Sequence, residues 1–136
     1  MKLLTYGQAQ GTRCGVIKGD SVVDVSSLLK LDNPLKDVQA LLELDENILA
    51  KLQSALDEST THNSILLSEA KLFSPILQPP TIRDFMIFEE HATAQGTRER
   101  QEAWYRMPIF YFSNTLCVLG TEDSFPHPDT CERLDY

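Results

Sequence analysis

Residues Thr81 to Ala92, TIRDFMIFEEHA, decide how the rest of the chain is read. An aspartate and a histidine, Asp84 and His91, stand seven positions apart in it. Read as a helix, that spacing is close to two turns, so both side chains project from one face. Ile82, Phe85, Phe88 and Ala92 then form the apolar stripe, with Asp84 and His91 towards its edge. Thr81 follows two prolines and suits an N-cap, and Asp84 matches the acidic member of a capping box. On this local reading Asp84 stabilises a helix N-terminus, and His91 is an ordinary surface or half-buried imidazole. Such an edge faces a cleft as readily as solvent.

Working towards the N-terminus, Lys2 to Tyr6 and Arg13 to Val25 read as a small β unit. Val16-Ile17 and Val22-Val23 flank Lys18-Gly19-Asp20-Ser21, where glycine supplies the positive φ of a tight hairpin turn. Gly7 and Gly11 bracket the loop that leads from the first strand into this hairpin. Asn33-Pro34 predicts a helix start, with Leu35, Val38, Leu41 and Leu42 on one face. A second helix after Asp45 buries Ile48, Leu49, Leu52, Ala55 and Leu56 and exposes Glu46, Lys51, Gln53 and Asp57. A leucine stripe of this kind is core, not a ligand site. Ile65 to Leu77 predicts an extended segment, and Pro75, Pro79 and Pro80 mark a linker. The expected fold class is therefore α+β. A small N-terminal hairpin-and-helix domain, residues 1–70, precedes a second segment, residues 71–136, with the boundary near Ala70.

Downstream, Thr93 to Met107 is polar and reads as an exposed loop or short helix. Its Arg98, Arg100 and Arg106 suit bidentate carboxylate recognition, or else pair with Glu99 and Glu102. Pro108 to Phe112 reads as a buried strand, Leu116 to Leu119 as a second short strand, and Glu122 to Pro128 as a loop. A net charge of −8 argues against nucleic-acid binding, since no basic stripe faces phosphate. No apolar run is long enough for a signal peptide or a membrane span. Three cysteines without C-x-x-C spacing fit reduced thiols, so a cytoplasmic protein is expected. A zinc site from His62, His91, His127 and cysteines matches no ligand spacing.

Taken together, the residues resemble the fumarylacetoacetate hydrolase family. RDFMIFEEHA, the segment from Trp104 to Tyr111 (WYRMPIFY) and the terminal Leu134-Asp135-Tyr136 look like the opening of its catalytic domain. The first 70 residues look like its small N-terminal domain, so the resemblance spans the chain. It implies the start of that family's mixed β-sheet catalytic fold, and it reassigns Asp84 from helix cap to ligand of a divalent cation, Mg or Ca. By the same resemblance His91 is the general base that activates water, and Arg100 and Tyr111 contact the substrate's carboxylate and oxo oxygens. An all-oxygen site suits a hard cation, and a histidine beside a water suits attack on a diketone carbonyl. The implied activity is metal-dependent hydrolysis of a carbon–carbon bond in a β-diketo acid, in aromatic amino acid catabolism, by a homodimer in its complete form.

The departures from the family pattern are as specific as the matches. In the family the Leu-Asp-Tyr run is followed by a Glu-x-Glu pair of metal ligands, and the glutamate orienting the histidine and a catalytic lysine lie further on. The chain is accordingly expected to be an N-terminal portion, inactive alone and holding no cation by itself. Met86 stands where several members carry an aromatic hydroxyl, which opens the substrate question. Relatives on this fold also hydrate, isomerise or decarboxylate 2-keto acids. The alternative from another class is a non-catalytic acidic module that dimerises through exposed strands.

Overall fold

The computed structural model describes residues 1–60, 64–94, 96, 99 and 102–133. The fold is α+β, with a five-stranded antiparallel sheet, a separate two-stranded sheet and five short helices among the described residues. The chain forms two compact units, Met1–Leu77 with Leu119–Tyr136, and Gln78–Val118.

The first unit is built on β1 (Leu3–Gln8), β2 (Gly11–Lys18), β3 (Ser21–Asp24), β4 (Ser64–Leu66) and β5 (Leu72–Phe73), in the order β4-β3-β2-β1-β5. Gly19, at φ 59°, makes the β2–β3 turn expected of it. Gly7 lies inside β1, and the turn into β2 is Ala9-Gln10, with Gly11 at φ 114° just after it. The period of two then sorts the side chains. Cys14, Val16 and Val23 enter the larger core, while Leu4, Tyr6 and Val22 form a smaller cluster with Ile17 and Ile65.

Helices cover the larger cluster. α1 (Val25–Leu28) starts at Asp24, whose carboxylate accepts from the Ser27 amide, and sequence reasoning missed it. α2 is Val38–Leu42, and its cap is the buried Asp37, not Asn33. Asn33-Pro34 has the right residue types, but the chain stays irregular until the Asp37 carboxylate reaches the Ala40 amide. α3 (Ile48–Glu58) buries Ile48, Leu52 and Leu56 as the stripe predicts, whereas Leu49 is exposed. Leu41 and Leu52 are fully buried, and each removal from water is favourable by roughly 1.5–3 kcal/mol. Between β4 and β5 the expected extended run is broken by a 3-10 turn, Leu67–Glu69. Thr5 and Val38 then both donate to the Pro75 carbonyl, which fastens the end of this segment to β1 and α2.

The second unit corrects the reading of Thr81–Ala92 as one helix. It contains β6 (Ile82–Phe85), α4 (Glu89–Ala92), α5 (Ala103–Arg106) and β7 (Phe110–Ser113). β6 pairs antiparallel with β7, matching Arg83 to Phe112, Asp84 to Tyr111 and Phe85 to Phe110. Pairing outweighs the helical spacing because it stacks aromatic groups. Phe85 lies 5.1 Å from Phe110, Phe110 lies 5.1 Å from Phe112, and the Arg83 guanidinium rides over both Phe110 and Phe112. Phe85–Phe110 is a cross-strand pair and Phe110–Phe112 a pair along β7, and aromatic contacts of this kind contribute roughly 0.5–1.5 kcal/mol each. Two further expectations fail here. The Pro108–Phe112 strand is not buried, since Phe112 is 73% exposed. Leu116–Leu119 forms no strand, and Leu116 is 81% exposed.

Candidate functional site

Strand pairing, not a helix face, brings Asp84 and Tyr111 together. On β6 the side chains alternate, so Arg83 and Phe85 share the aromatic face while Ile82 and Asp84 take the other. Tyr111 lies directly across from Asp84 and therefore on Asp84's face. After Phe85 the chain turns, and the Met86 amide donates to the Ile109 carbonyl at 3.0 Å. The single turn of α4 follows, with His91 in it.

Asp84, His91 and Tyr111 line one pocket of about 220 Å³ whose remaining wall is Phe85, Met86, Ile87 and Phe88. The pocket is small and largely apolar-walled, with a carboxylate, an imidazole and a phenol as its polar groups. All three of these side chains are exposed. α4 is a four-residue helix, too short to persist by its own backbone bonds. Glu89 on it accepts from the Tyr105 hydroxyl at 3.1 Å, which ties α4 to α5. Thr93 adds a bond from its hydroxyl to the Glu89 carbonyl at 2.8 Å.

Arg100 lies outside the described residues, as do Arg98, His62 and Leu134-Asp135-Tyr136. Arg106 forms an ion pair with Glu102 on its own helix, the solvated alternative weighed for the arginines of this stretch. Sequence reasoning missed the pocket wall. Phe85, Ile87 and Phe88 were assigned to a helix stripe or left aside, although alternation through Phe85 and the aromatic Phe110 to Phe112 run was the available signal. The Tyr105–Glu89 tether joins residues sixteen positions apart and leaves no local pattern.

The donor set does not suit a metal ion by itself. A hard cation takes six or more oxygens, and Asp84 supplies one carboxylate. Among the described residues no group of three or more His, Cys, Asp or Glu side chains is placed to hold one. Nor does any carboxylate pair with the His91 imidazole among them. No helix among the described residues is long and apolar enough to cross a membrane.

No protein-family model matches the chain, and no curated protein matches it.

Proposed function

We propose that the chain is the N-terminal portion of a metal-dependent hydrolase that cleaves a carbon–carbon bond in β-diketo acids, on the fumarylacetoacetate hydrolase fold. The observation that carries this reading is the convergence of Asp84, His91 and Tyr111 on one pocket, with Asp84 and Tyr111 as cross-strand partners. Of the three residues given roles by their resemblance to that family, Tyr111 lies far along the chain from Asp84 and His91, and a helix does not account for its meeting them.

In this reading the His91 imidazole takes a proton from a water that attacks a carbonyl carbon. The carbon–carbon bond breaks with its electron pair leaving as the enolate of the second carbonyl, and the imidazolium's proton restores that carbon. The Tyr111 hydroxyl donates to an oxygen of the bound keto acid, and Arg100 pairs with its carboxylate. Phe85, Ile87 and Phe88 offer apolar wall to the substrate's carbons. Asp84 is one ligand of a divalent cation, Mg or Ca, whose other ligands come from outside the described residues. The substrate is a small diketo or keto acid, and the complete protein is a cytoplasmic homodimer.

The test is turnover of an acylpyruvate with Mg²⁺ by the product of this reading frame carried past Tyr136 to its own stop codon. Hydrolysis is expected, with His91→Ala lowering kcat by about 100-fold or more, the usual weight of a general base. Decarboxylation or hydration of a 2-keto acid instead would move the reaction to a neighbouring class on the same fold. A second reading is favoured by the uncovered aromatic face of β6 and β7: a non-catalytic module that self-associates through these strands. It is supported by concentration-dependent dimers that Phe112→Lys abolishes, together with no turnover of either substrate class.

A further inference from the structure

Independently of that reading, the first unit carries a larger groove of about 720 Å³ on the sheet face that holds Tyr6, a size suited to a metabolite. We propose that this groove binds a small organic carboxylate, anchored by the Arg13 guanidinium and the Lys30 ammonium.

The polar groups beneath are already satisfied. The Tyr6 hydroxyl donates to Asp24 Oδ2 at 3.3 Å and accepts from the Gln8 side-chain amide at 3.1 Å. The other Asp24 oxygen accepts from the Ser27 amide at 2.8 Å. Both Asp24 oxygens are thus engaged and neither is turned to a cation. Arg13, opposite Tyr6 in the β1–β2 register, gives one long bond to the Thr12 carbonyl at 3.4 Å. Among the described residues neither Arg13 nor Lys30 forms an ion pair, although acidic residues outnumber basic ones by 20 to 12. Two cations left without carboxylate partners line one groove of an acidic chain.

Lys30 also carries a backbone cost. It sits at φ 54° just beyond α1, a left-handed position that glycine fills without strain and lysine does not. Lys30 thus lines the groove from a backbone position that favours glycine. Asp24 and Asp32 on the same lining oppose a polyanion, while Val22 and Ile65 offer apolar wall to a short hydrocarbon body. A monocarboxylate fits all of these terms: the guanidinium fork takes its two oxygens and the ammonium adds charge.

The experiment is titration of sodium butyrate into the full chain, followed by backbone amide NMR. Saturable shifts at residues 12–15 and 30–32 are expected, with a dissociation constant of about 1 mM. Arg13→Gln and Lys30→Gly should each weaken binding by about tenfold or more. Lys30→Gly should leave Tm unchanged or raise it, since glycine relieves the left-handed residue, and so separates lost binding from lost fold. Shifts that fail to saturate, affinity unchanged in both variants, or saturation by inorganic phosphate with butyrate silent would each overturn the proposal.

Discussion

Gly15 shows how tightly single residues are held in the first unit. A Cβ there would lie 2.6 Å from Val22 Cγ1 and 3.0 Å from carbons of Leu4 and Tyr6. Gly15→Ala should therefore destabilise the chain by about 1–3 kcal/mol, read as a lower urea midpoint. Its neighbour Cys14 is fully buried, and burial, helped by the charges of Asp24 and Asp37, pushes its thiol up to about 12. Burial and the adjacent Asp24 also raise the Tyr6 phenol above its ordinary range. Both groups hold their protons more tightly folded than unfolded; the thiol's contribution is full below its ordinary 9.0 and is lost as pH rises through about 12, and the phenol's is lost at higher pH still. Tm should fall over that window, and less steeply in Cys14→Ala, although the cavity lowers that variant's Tm at every pH. At this scale Gly19 was legible, because a turn demands a positive φ that the sequence can advertise. Asp37 was not, because Asn33-Pro34 offers the same capping chemistry four positions earlier and only tertiary packing chooses between them.

Elements with a long amphipathic period were readable, and those fixed by distant partners were not. α3 follows its leucine stripe, and β2 and β3 follow their valines. The end of α3 depends on a side chain from β2: Lys18 Nζ donates to the Leu56 and Ser59 carbonyls at 2.6 and 2.7 Å and to the Ser59 hydroxyl at 3.0 Å. Lys18→Met keeps the apolar stem and removes this cap, and should cost about 2 kcal/mol in chemical denaturation. Thr81–Ala92 was misread for the converse reason. Its Asp84–His91 spacing fits a helix, but Phe110 and Phe112, far along the chain, supply the stacking that makes β6 a strand. Asp84 and Tyr111 meet across a ladder instead of along a helix.

At the scale of the whole molecule the two units differ in how much they bury. Among its described residues the first has thirteen buried hydrophobic side chains, from Leu4 to Leu56. In Gln78–Val118 no described side chain is fully buried, and Ile87, Phe88, Tyr111 and Phe112 are each more than 60% exposed. A two-stranded ladder of this kind is marginal in water by itself. Limited proteolysis should therefore cut first within Gln78–Val118 and leave a fragment close to Met1–Leu77, identifiable by mass. Early cuts within β1 to β3 would show the opposite order of stability. The exposure of Asp84 and Tyr111 also bears on function, because the proposed hydrolase needs further polypeptide beside Asp84 to complete a cation site. The most direct measurement is calorimetric titration of Mg²⁺ into this chain and into the product of its reading frame carried past Tyr136. The account predicts binding in the longer product alone, abolished by Asp84→Ala. A stop codon directly after Tyr136, or a longer product that binds no Mg²⁺ or binds it equally well without Asp84, would contradict it.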